Sequence, residues 1–179
     1  MEDERQLIER LKKGELAAFN RLFDHYRPGL MAYVTQMTRD RHAAEDIVQE
    51  TFVKMTRHIS TIDARRGVSG WLYRVARNRT IDYLRRRTPE TGIDLGAWNE
   101  CTEDGGDPYS TLICEEENAR LMAAFQALPE YERELLALRF FGGLKFRQIA
   151  DVVGKPLGTV LWQARHILGR LRRTLEDHG

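Results

Sequence analysis

Cysteine is scarce in this chain of 179 residues, and the two that occur, Cys101 and Cys114, are thirteen positions apart. They form no CxxC pair, and the five histidines are scattered, so we expect free thiols in a reducing compartment and no metal or cofactor. No stretch reaches the roughly 18–20 apolar residues of a membrane span. Residues 2–4 are acidic where a secretion signal would be basic. These absences predict a cytoplasmic protein without membrane insertion.

Positive charge is missing from residues 88–118, which contain nine acidic residues and neither lysine nor arginine. Residues 65–87 are the opposite, with eight arginines and Asp82 as the single acid, so the overall charge of +1 conceals a sharp partition. A basic segment of this kind is typical of contact with a polyanion. No Asp, Glu and His residues recur at the spacing of a ligand or catalytic set, so neither an enzyme nor a small-molecule substrate is expected.

Apolar residues recur almost everywhere with the 3.6-residue period of a helix, and no segment alternates convincingly like a strand. After a short first helix, the pattern predicts a second helix containing Pro28, a third helix capped by Asp40, and a fourth from Ser69, its predicted cap, to about Arg87. The fourth helix is expected to bury one stripe, formed by Val68, Leu72, Val75, Ala76 and Leu84. Helical patterns resume at about 111–127, 130–141, 145–153 and 157–175.

Residues 88–110 are rich in glycine, proline and acidic residues and lack a helical period. This stretch is far longer than the roughly 4–6 residues that usually connect elements inside a compact domain. We therefore predict an all-α fold with two helical domains, an N-terminal bundle (1–87) and a C-terminal helix-turn-helix domain (111–179), joined by a flexible acidic linker (88–110).

The C-terminal half has the pattern of a helix-turn-helix. A short amphipathic helix, with Ile149, Ala150 and Val153 inward, is expected to end at Gly154, and Lys155 and Pro156 lead into a longer helix. The longer helix would bury Val160, Ala164, Ile167, Leu171 and Leu175. Its other face and the turn carry candidate groups for reading bases and binding phosphates: Lys155, Gly158, Thr159, Trp162, Gln163, Arg165, His166 and Arg170. A plain helical hairpin with a solvated basic end is the alternative.

The fourth helix carries a second basic face, opposite its apolar stripe. Arginines interleaved with aromatic residues suit single-stranded or melting DNA, because cations follow the backbone while unstacked bases stack on rings. Two aromatic residues, Trp71 and Tyr73, lie near the start of this helix. For Trp71 considered by itself, a position in the hydrophobic core is favoured over contact with DNA. The candidate residues for this surface are Arg65, Arg66, Ser69, Trp71, Arg74, Arg77, Asn78 and Arg85.

Together, these motifs resemble those of bacterial sigma factors of the extracytoplasmic-function (ECF) group. Residues 44–52 (AEDIVQETF) resemble the segment through which such factors bind core RNA polymerase, and residues 71–78 (WLYRVARN) with 82–86 (DYLRR) resemble the helix that opens the minus-ten promoter element. Residues 128–139 (LPEYERELLALR), 148–150 (QIA) and 158–160 (GTV) resemble the domain that reads the minus-thirty-five element. The order and spacing of the four motifs match the group over nearly the whole chain.

The resemblance implies a non-catalytic protein that directs core RNA polymerase to promoter DNA, assists promoter opening, acts at the nucleoid and is held by an anti-sigma factor. It also implies that Asp46, Gln49, Glu50 and Phe52 bind core polymerase. The acidic connector would follow the polymerase's RNA-exit path, or fold onto the basic helix and mask it. Two other functions stay open at this point, a stand-alone helix-turn-helix regulator and a sigma-mimicking adaptor that binds an anti-sigma factor.

Two departures from the family pattern affect the DNA-reading surfaces. Where the family usually has a Lys-Ser-Arg-like run after residues 158–160, this chain has Leu161, Trp162 and Gln163. Trp162 therefore reads an unusual element, contacts a protein, or is buried in a rotated helix. The loop from Arg65 to Trp71, where the family captures a flipped promoter base, is about one residue shorter than is common.

Overall fold

The computed structural model describes residues 4–87 and 121–176, and side chains as far as residue 173. Within those ranges the chain is helical and has no strand. The linker 88–110, both cysteines and the start of the helix expected at 111 lie outside the described residues. The helices are α1 (Glu4–Lys12), α2 (Leu16–Thr38), α3 (Arg41–His58), α4 (Ser69–Arg87), α5 (121–126), α6 (Glu130–Phe140), α7 (Phe146–Val153) and α8 (Leu157–Glu176).

The first four helices form a bundle around α2, which packs against α1, α3 and α4. Pro28 lies inside α2 without ending it. Asp40 caps α3 as expected, since its carboxylate accepts a hydrogen bond of 3.0 Å from the Ala43 amide. A 3-10 turn, Ile59–Thr61, follows α3 and leads towards α4.

The apolar stripe of α4 differs from the sequence-based expectation. Val68, Leu72 and Ala76 are buried as predicted, whereas Val75 and Leu84 are only half-buried. Tyr73 is 1% exposed and takes their place in the core. Ser69 is the first residue of α4 and not, as predicted, the capping residue before the helix.

Helices α6, α7 and α8 form the predicted helix-turn-helix unit. Gly154 ends α7 with a φ of 71°, the left-handed conformation expected of it. On α8 the residues Val160, Ala164, Ile167 and Leu171 are buried as predicted. On α7 Val152 is buried, whereas Val153 is only partly so.

The two helical units pack against each other in the structure. Helix α4 lies against α7, helix α2 lies against α6, and buried residues of both units belong to one continuous core. The rings of Tyr33 and Tyr73 meet edge to face at this junction, with centroids 5.7 Å apart. The mutual contact was not expected from the sequence, which indicated only two domains on a tether.

Candidate nucleic-acid interface

The arginine face of α4 is partly open and partly covered by the C-terminal unit. Arg74, Asn78 and Arg85 are exposed, whereas Arg77 and Trp71 are half-buried. Trp71 packs against the core, with its ring 6.2 Å from the ring of His58, in agreement with the favoured core role. The exposed members give α4 a strip of positive charge that a phosphate backbone could follow.

Glu134 of α6 covers the centre of that strip. Its carboxylate binds the Arg77 guanidinium through two hydrogen bonds of 2.8 and 3.2 Å. The side chains are 8% and 22% exposed for Glu134 and Arg77 respectively, so the ion pair is largely removed from water. Tyr33 also donates to Glu134, at 3.3 Å, and burial together with this negative charge raises the pKa of Tyr33 well above its usual value.

Further contacts tie α4 and α2 to the C-terminal unit. Arg74 donates to the backbone carbonyl of Asp151 at 3.1 Å. Gln126 donates to Gln36 at 2.6 Å and accepts from Arg39 at 2.9 Å. These bonds are polar, so they exchange readily for bonds to water or phosphate when the units separate.

Two glycines let the units approach closely around Tyr73. A Cβ on Gly29 would lie 2.6 Å from the Tyr73 hydroxyl oxygen and 2.7 Å from the carbonyl oxygen of Phe141. A Cβ on Gly142 would lie 3.0 Å from the Tyr73 ring. The expectation that Tyr73 could serve as an exposed stacking aromatic is therefore wrong, because its ring fills this junction. Burial raises the pKa of Tyr73 above its usual value.

The loop before α4 lines a polar cavity of about 350 Å³. Arg65 and Arg66 are exposed at its edge. Ser69 also lines it, and the Ser69 hydroxyl accepts a hydrogen bond of 2.8 Å from the Gln148 side chain of α7. The loop therefore combines exposed cations with an open polar cavity, and a cationic groove of this kind suits the backbone of single-stranded nucleic acid.

The outer face of α3 presents Asp46, Gln49 and Glu50 to solvent. Glu50 forms an ion pair of 3.1 Å with Arg79 of α4. Phe52 is 2% exposed and packs against the rings of Phe19 and Phe23. The side chain of Phe52 therefore belongs to the core beneath the face, and its assignment to core polymerase stays a prediction.

The outer face of α8 exposes the small and aromatic candidates. Gly158, Thr159, Arg165 and His166 are exposed. Trp162 is 66% exposed, and its ring stacks parallel to that of His166 with centroids 5.4 Å apart. The alternative of a buried Trp162 in a rotated helix is wrong. The helix has the predicted rotation and offers a flat aromatic pair.

Three other candidates on the C-terminal unit have partners within it. Gln163 is hydrogen-bonded to the Tyr131 hydroxyl, and the Lys155 ammonium lies 3.5 Å from the centroid of the same ring. Arg170 forms an ion pair of 2.9 Å with Glu132. These contacts hold the side chains of Gln163 and Arg170 on α8, and of Lys155 just before it, in defined positions.

The described residues contain no group of three or more His, Cys, Asp or Glu side chains that could hold a metal ion. Among the described helices, none has the length and apolar character needed to cross a membrane.

Sequence reasoning missed the residues that join the two units, above all Glu134, Tyr33 and Gln148. One signal was present for Glu134, which falls on the helix 130–141 among the apolar residues of its buried face. A carboxylate at such a position requires a partner, because an unpaired buried charge is costly. The partner itself comes from the other unit and leaves no local pattern.

A known family model matches each of the two units. The family model "Sigma-70 region 2" matches residues 22–90, and "Sigma-70, region 4" matches residues 118–160. The chain is 36% identical over 158 residues to the ECF RNA polymerase sigma factor RpoE of Cereibacter sphaeroides, which covers 88% of this chain and 86% of that protein. It is 29% identical to SigW of Bacillus subtilis strain 168 over 178 residues, 95% of each chain. The solved structure of the sigma factor RpoE of Bartonella quintana, in complex with the anti-sigma factor NepR, has the same fold, with a TM-score of 0.69 at 20% identity over 88% of this chain and 96% of that one.

Proposed function

We propose a division of labour among the surfaces of this chain, which belongs to the extracytoplasmic-function group of RNA polymerase sigma factors. As a sigma factor, it directs core RNA polymerase to promoters and takes part in transcription initiation. The observation that carries the division is the separation of an arginine strip on α4 from a helix-turn-helix face on α8. In this division the protein supplies recognition and the polymerase supplies the chemistry, in the cytoplasm and on the nucleoid.

The α4 strip and the loop before it are proposed to hold the opened minus-ten element. Arg74, Arg77 and Arg85 would follow the phosphates of one strand, with Asn78 between them. Arg65, Arg66 and Ser69 would border the base that leaves the stack. Trp71 supports this surface from its half-buried position in the core, without stacking on a base.

The α8 face is proposed to read the minus-thirty-five element as duplex DNA. Thr159 lies near the N-terminal end of the helix and would reach base edges, while Lys155 and Arg165 would bind phosphates. The Trp162 and His166 rings would present apolar surface in the major groove, where thymine methyl groups are the apolar features. The α8 face would therefore make apolar contacts at positions where the family usually has cations.

The outer face of α3 is proposed to bind core polymerase through Asp46, Gln49 and Glu50. All three are exposed, and none of them lies at the contact between the two units. That position allows the chain to bind polymerase whether or not the arginine strip of α4 is covered by the C-terminal unit.

The contact between the units is proposed to limit DNA binding by the free protein. Glu134 occupies the guanidinium of Arg77, which would otherwise bind phosphate, and Gln148 narrows the cavity beside Ser69. The DNA-competent form then has the N-terminal domain (1–87) and the C-terminal domain (111–179) apart, joined by the acidic linker (88–110).

An anti-sigma factor is the proposed regulatory partner. The C-terminal unit offers it an apolar cavity of about 590 Å³ between α5, α6 and α8, lined by Phe125, Leu136, Phe140 and other residues. Phe140 is 64% exposed at this cavity. An amphipathic helix of the partner would bury this surface.

The test of this function is reconstitution with core RNA polymerase on a genomic template. Transcription from defined start sites that depends on the added chain is the expected result. Specific duplex binding by the isolated chain at symmetric half-sites, without any effect on polymerase, would favour a stand-alone regulator instead. Binding to an anti-sigma factor without any transcription would favour an adaptor.

A further inference from the structure

The loop that precedes α4 is held by Glu4, a residue of α1 that is distant from the loop in sequence. Glu4, the first residue of α1, accepts a hydrogen bond of 2.6 Å from the backbone amide of Val68. Gly67 has a φ of 72°, and a Cβ there would lie 3.0 and 3.1 Å from the two carboxylate oxygens of Glu4. The carboxylate therefore lies directly against the loop backbone, at a residue whose conformation favours glycine.

Helix α1 is fixed well enough to serve as an anchor. Leu7, Ile8 and Leu11 are buried, and α1 packs along α2. Because these side chains hold the helix in place, the Glu4 carboxylate is brought to the loop without further ordering. A group that is pre-positioned in this way loses little conformational entropy when it binds.

Glu4 also lies near the buried Tyr26 of α2. Burial together with the nearby Glu4 charge raises the pKa of Tyr26 above its usual value. Ser69, the residue after Val68, accepts a hydrogen bond from Gln148 of α7. The loop is therefore bonded to α1 through Val68 and to the C-terminal unit through Ser69.

The same part of the molecule lines the polar cavity beside the loop. Glu4 and Arg5 of α1 form one side, the loop from Ala64 to Gly67 forms another, and Ser69 and Gln148 complete the lining. The shape of the cavity depends on the backbone of the loop, and that backbone is fixed by Glu4. When the C-terminal unit moves away, Gln148 leaves but Glu4 stays.

We propose that Glu4 is a positioning residue for promoter opening. Its carboxylate holds the loop from Arg65 to Ser69 in the shape that receives an unstacked base of the opened strand. The proposal rests on the proposed function, in which this loop belongs to the minus-ten surface. Glu4 lies outside residues 22–90, the part matched by the region 2 family model, so that match does not include the residue.

The test compares Glu4→Ala and Glu4→Gln with the wild-type chain, each assembled with core polymerase. The probe is a randomised pool of single-stranded DNA, with affinity and selected sequence as readouts. We expect Glu4→Ala to lose roughly tenfold in affinity and to select bases less strictly, because a charge-assisted bond to the loop is lost. Glu4→Gln keeps an acceptor oxygen for the Val68 amide and should recover part of the loss. Glu9→Ala is the matched control, since Glu9 lies on the same helix and forms an ion pair with Lys12 on the surface.

A second measurement reports the loop directly. Hydrogen exchange at the Val68 amide should speed up in Glu4→Ala and much less in Glu4→Gln, while affinity for core polymerase stays unchanged in both. Equal DNA affinity and base selection in Glu4→Ala and wild type would overturn the proposal, as would an equal loss in Glu9→Ala. If the wild-type complex itself selects no DNA, the proposed function fails, and the Val68 exchange still decides whether Glu4 holds the loop.

Discussion

Replacing Glu134 by glutamine should release the arginine strip of α4 without changing any residue proposed to bind DNA. We call the arrangement in this structure, with the two units packed together, the closed form, and the arrangement with the units apart the open form. In the closed form the Glu134 carboxylate accepts two charge-assisted hydrogen bonds from Arg77 and one from Tyr33. The amide keeps one acceptor oxygen but loses the charge and turns an NH₂ group towards the guanidinium. Charge-assisted bonds contribute about 1.5–3 kcal/mol and neutral ones about 0.5–1.5 kcal/mol.

Glu134→Gln removes one of the two charge-assisted bonds to Arg77, so it should lower the stability of the closed form, relative to the open form, by about 1.5–3 kcal/mol, or about 10- to 150-fold. If the closed form dominates in the free protein, only the small open fraction binds DNA. The apparent affinity of the chain for DNA is then lowered in proportion to that fraction. The variant should therefore bind a randomised pool of single-stranded DNA more tightly by up to the same factor. Fluorescence anisotropy of the isolated chain at fixed salt measures this directly.

The matched control is Glu132→Gln, two residues away on the same helix. Glu132 pairs with Arg170 inside the C-terminal unit, so its replacement removes the same negative charge but leaves the contact between the units intact. Any general gain in attraction to DNA then appears in both variants. If Glu134→Gln binds single-stranded DNA no more tightly than Glu132→Gln, the contact between the units does not restrain binding and the reasoning is refuted.

Three further predictions follow from other contacts. Gly29→Ala should favour the open form, seen as a larger radius of gyration in small-angle scattering, although alanine stabilises a helix by about 1 kcal/mol over glycine. Gly169→Ala, which meets no neighbour within 4 Å, should leave the radius unchanged, and an equal effect of the two would contradict the close-approach argument. Asp46→Arg should weaken binding to core polymerase roughly tenfold or more while leaving single-stranded DNA binding intact, and retained polymerase affinity would refute the assignment of that face. The hydrogen bond from the Ala43 amide holds the pKa of Asp40 below its usual value. The ionised Asp40 therefore stabilises the fold fully at a pH above the usual pKa, and this stabilisation is lost as the pH falls through the lowered pKa. Asp40→Ala should therefore cost about 1 kcal/mol in urea unfolding at neutral pH and progressively less in acid, and a constant difference would contradict this.

Local patterns were sufficient for the elements themselves. The periodicity of residues 157–175 predicted the buried face of α8, and Gly154 and Asp40 fixed the ends of their helices through well-defined backbone chemistry. The family resemblance, drawn from four short motifs, is confirmed by relatives that cover most of the chain.

Packing was less predictable, because neighbouring helix positions differ little in sequence character. Val75 belongs to the apolar stripe predicted for α4 and Tyr73 does not, yet Tyr73 is buried and Val75 is only half-buried. Gly29 and Gly142 leave space for the Tyr73 ring, and the sequence of α4 alone does not reveal them. Phe52 belongs to a motif associated with partner binding, yet motif membership does not distinguish a surface residue from the core residue beneath it.

The joining of the two units could not be predicted from the sequence. It depends on Glu134 meeting Arg77, residues that are 57 positions apart on opposite sides of the acidic connector. A charge on an otherwise apolar face indicates that a partner exists but not where it lies. Glu4 and Val68, 64 positions apart, present the same difficulty within one unit.

The central claim is that the free chain keeps its minus-ten surface against the C-terminal unit and opens to bind DNA. Pulsed spin-label distance measurement tests it most directly, with labels at Glu45 of α3 and Gly169 of α8, both exposed, and with Cys101 and Cys114 changed to serine. We expect one narrow, short distance distribution in the free chain and a longer one when core polymerase and promoter DNA are bound. The same distribution in both states would contradict it.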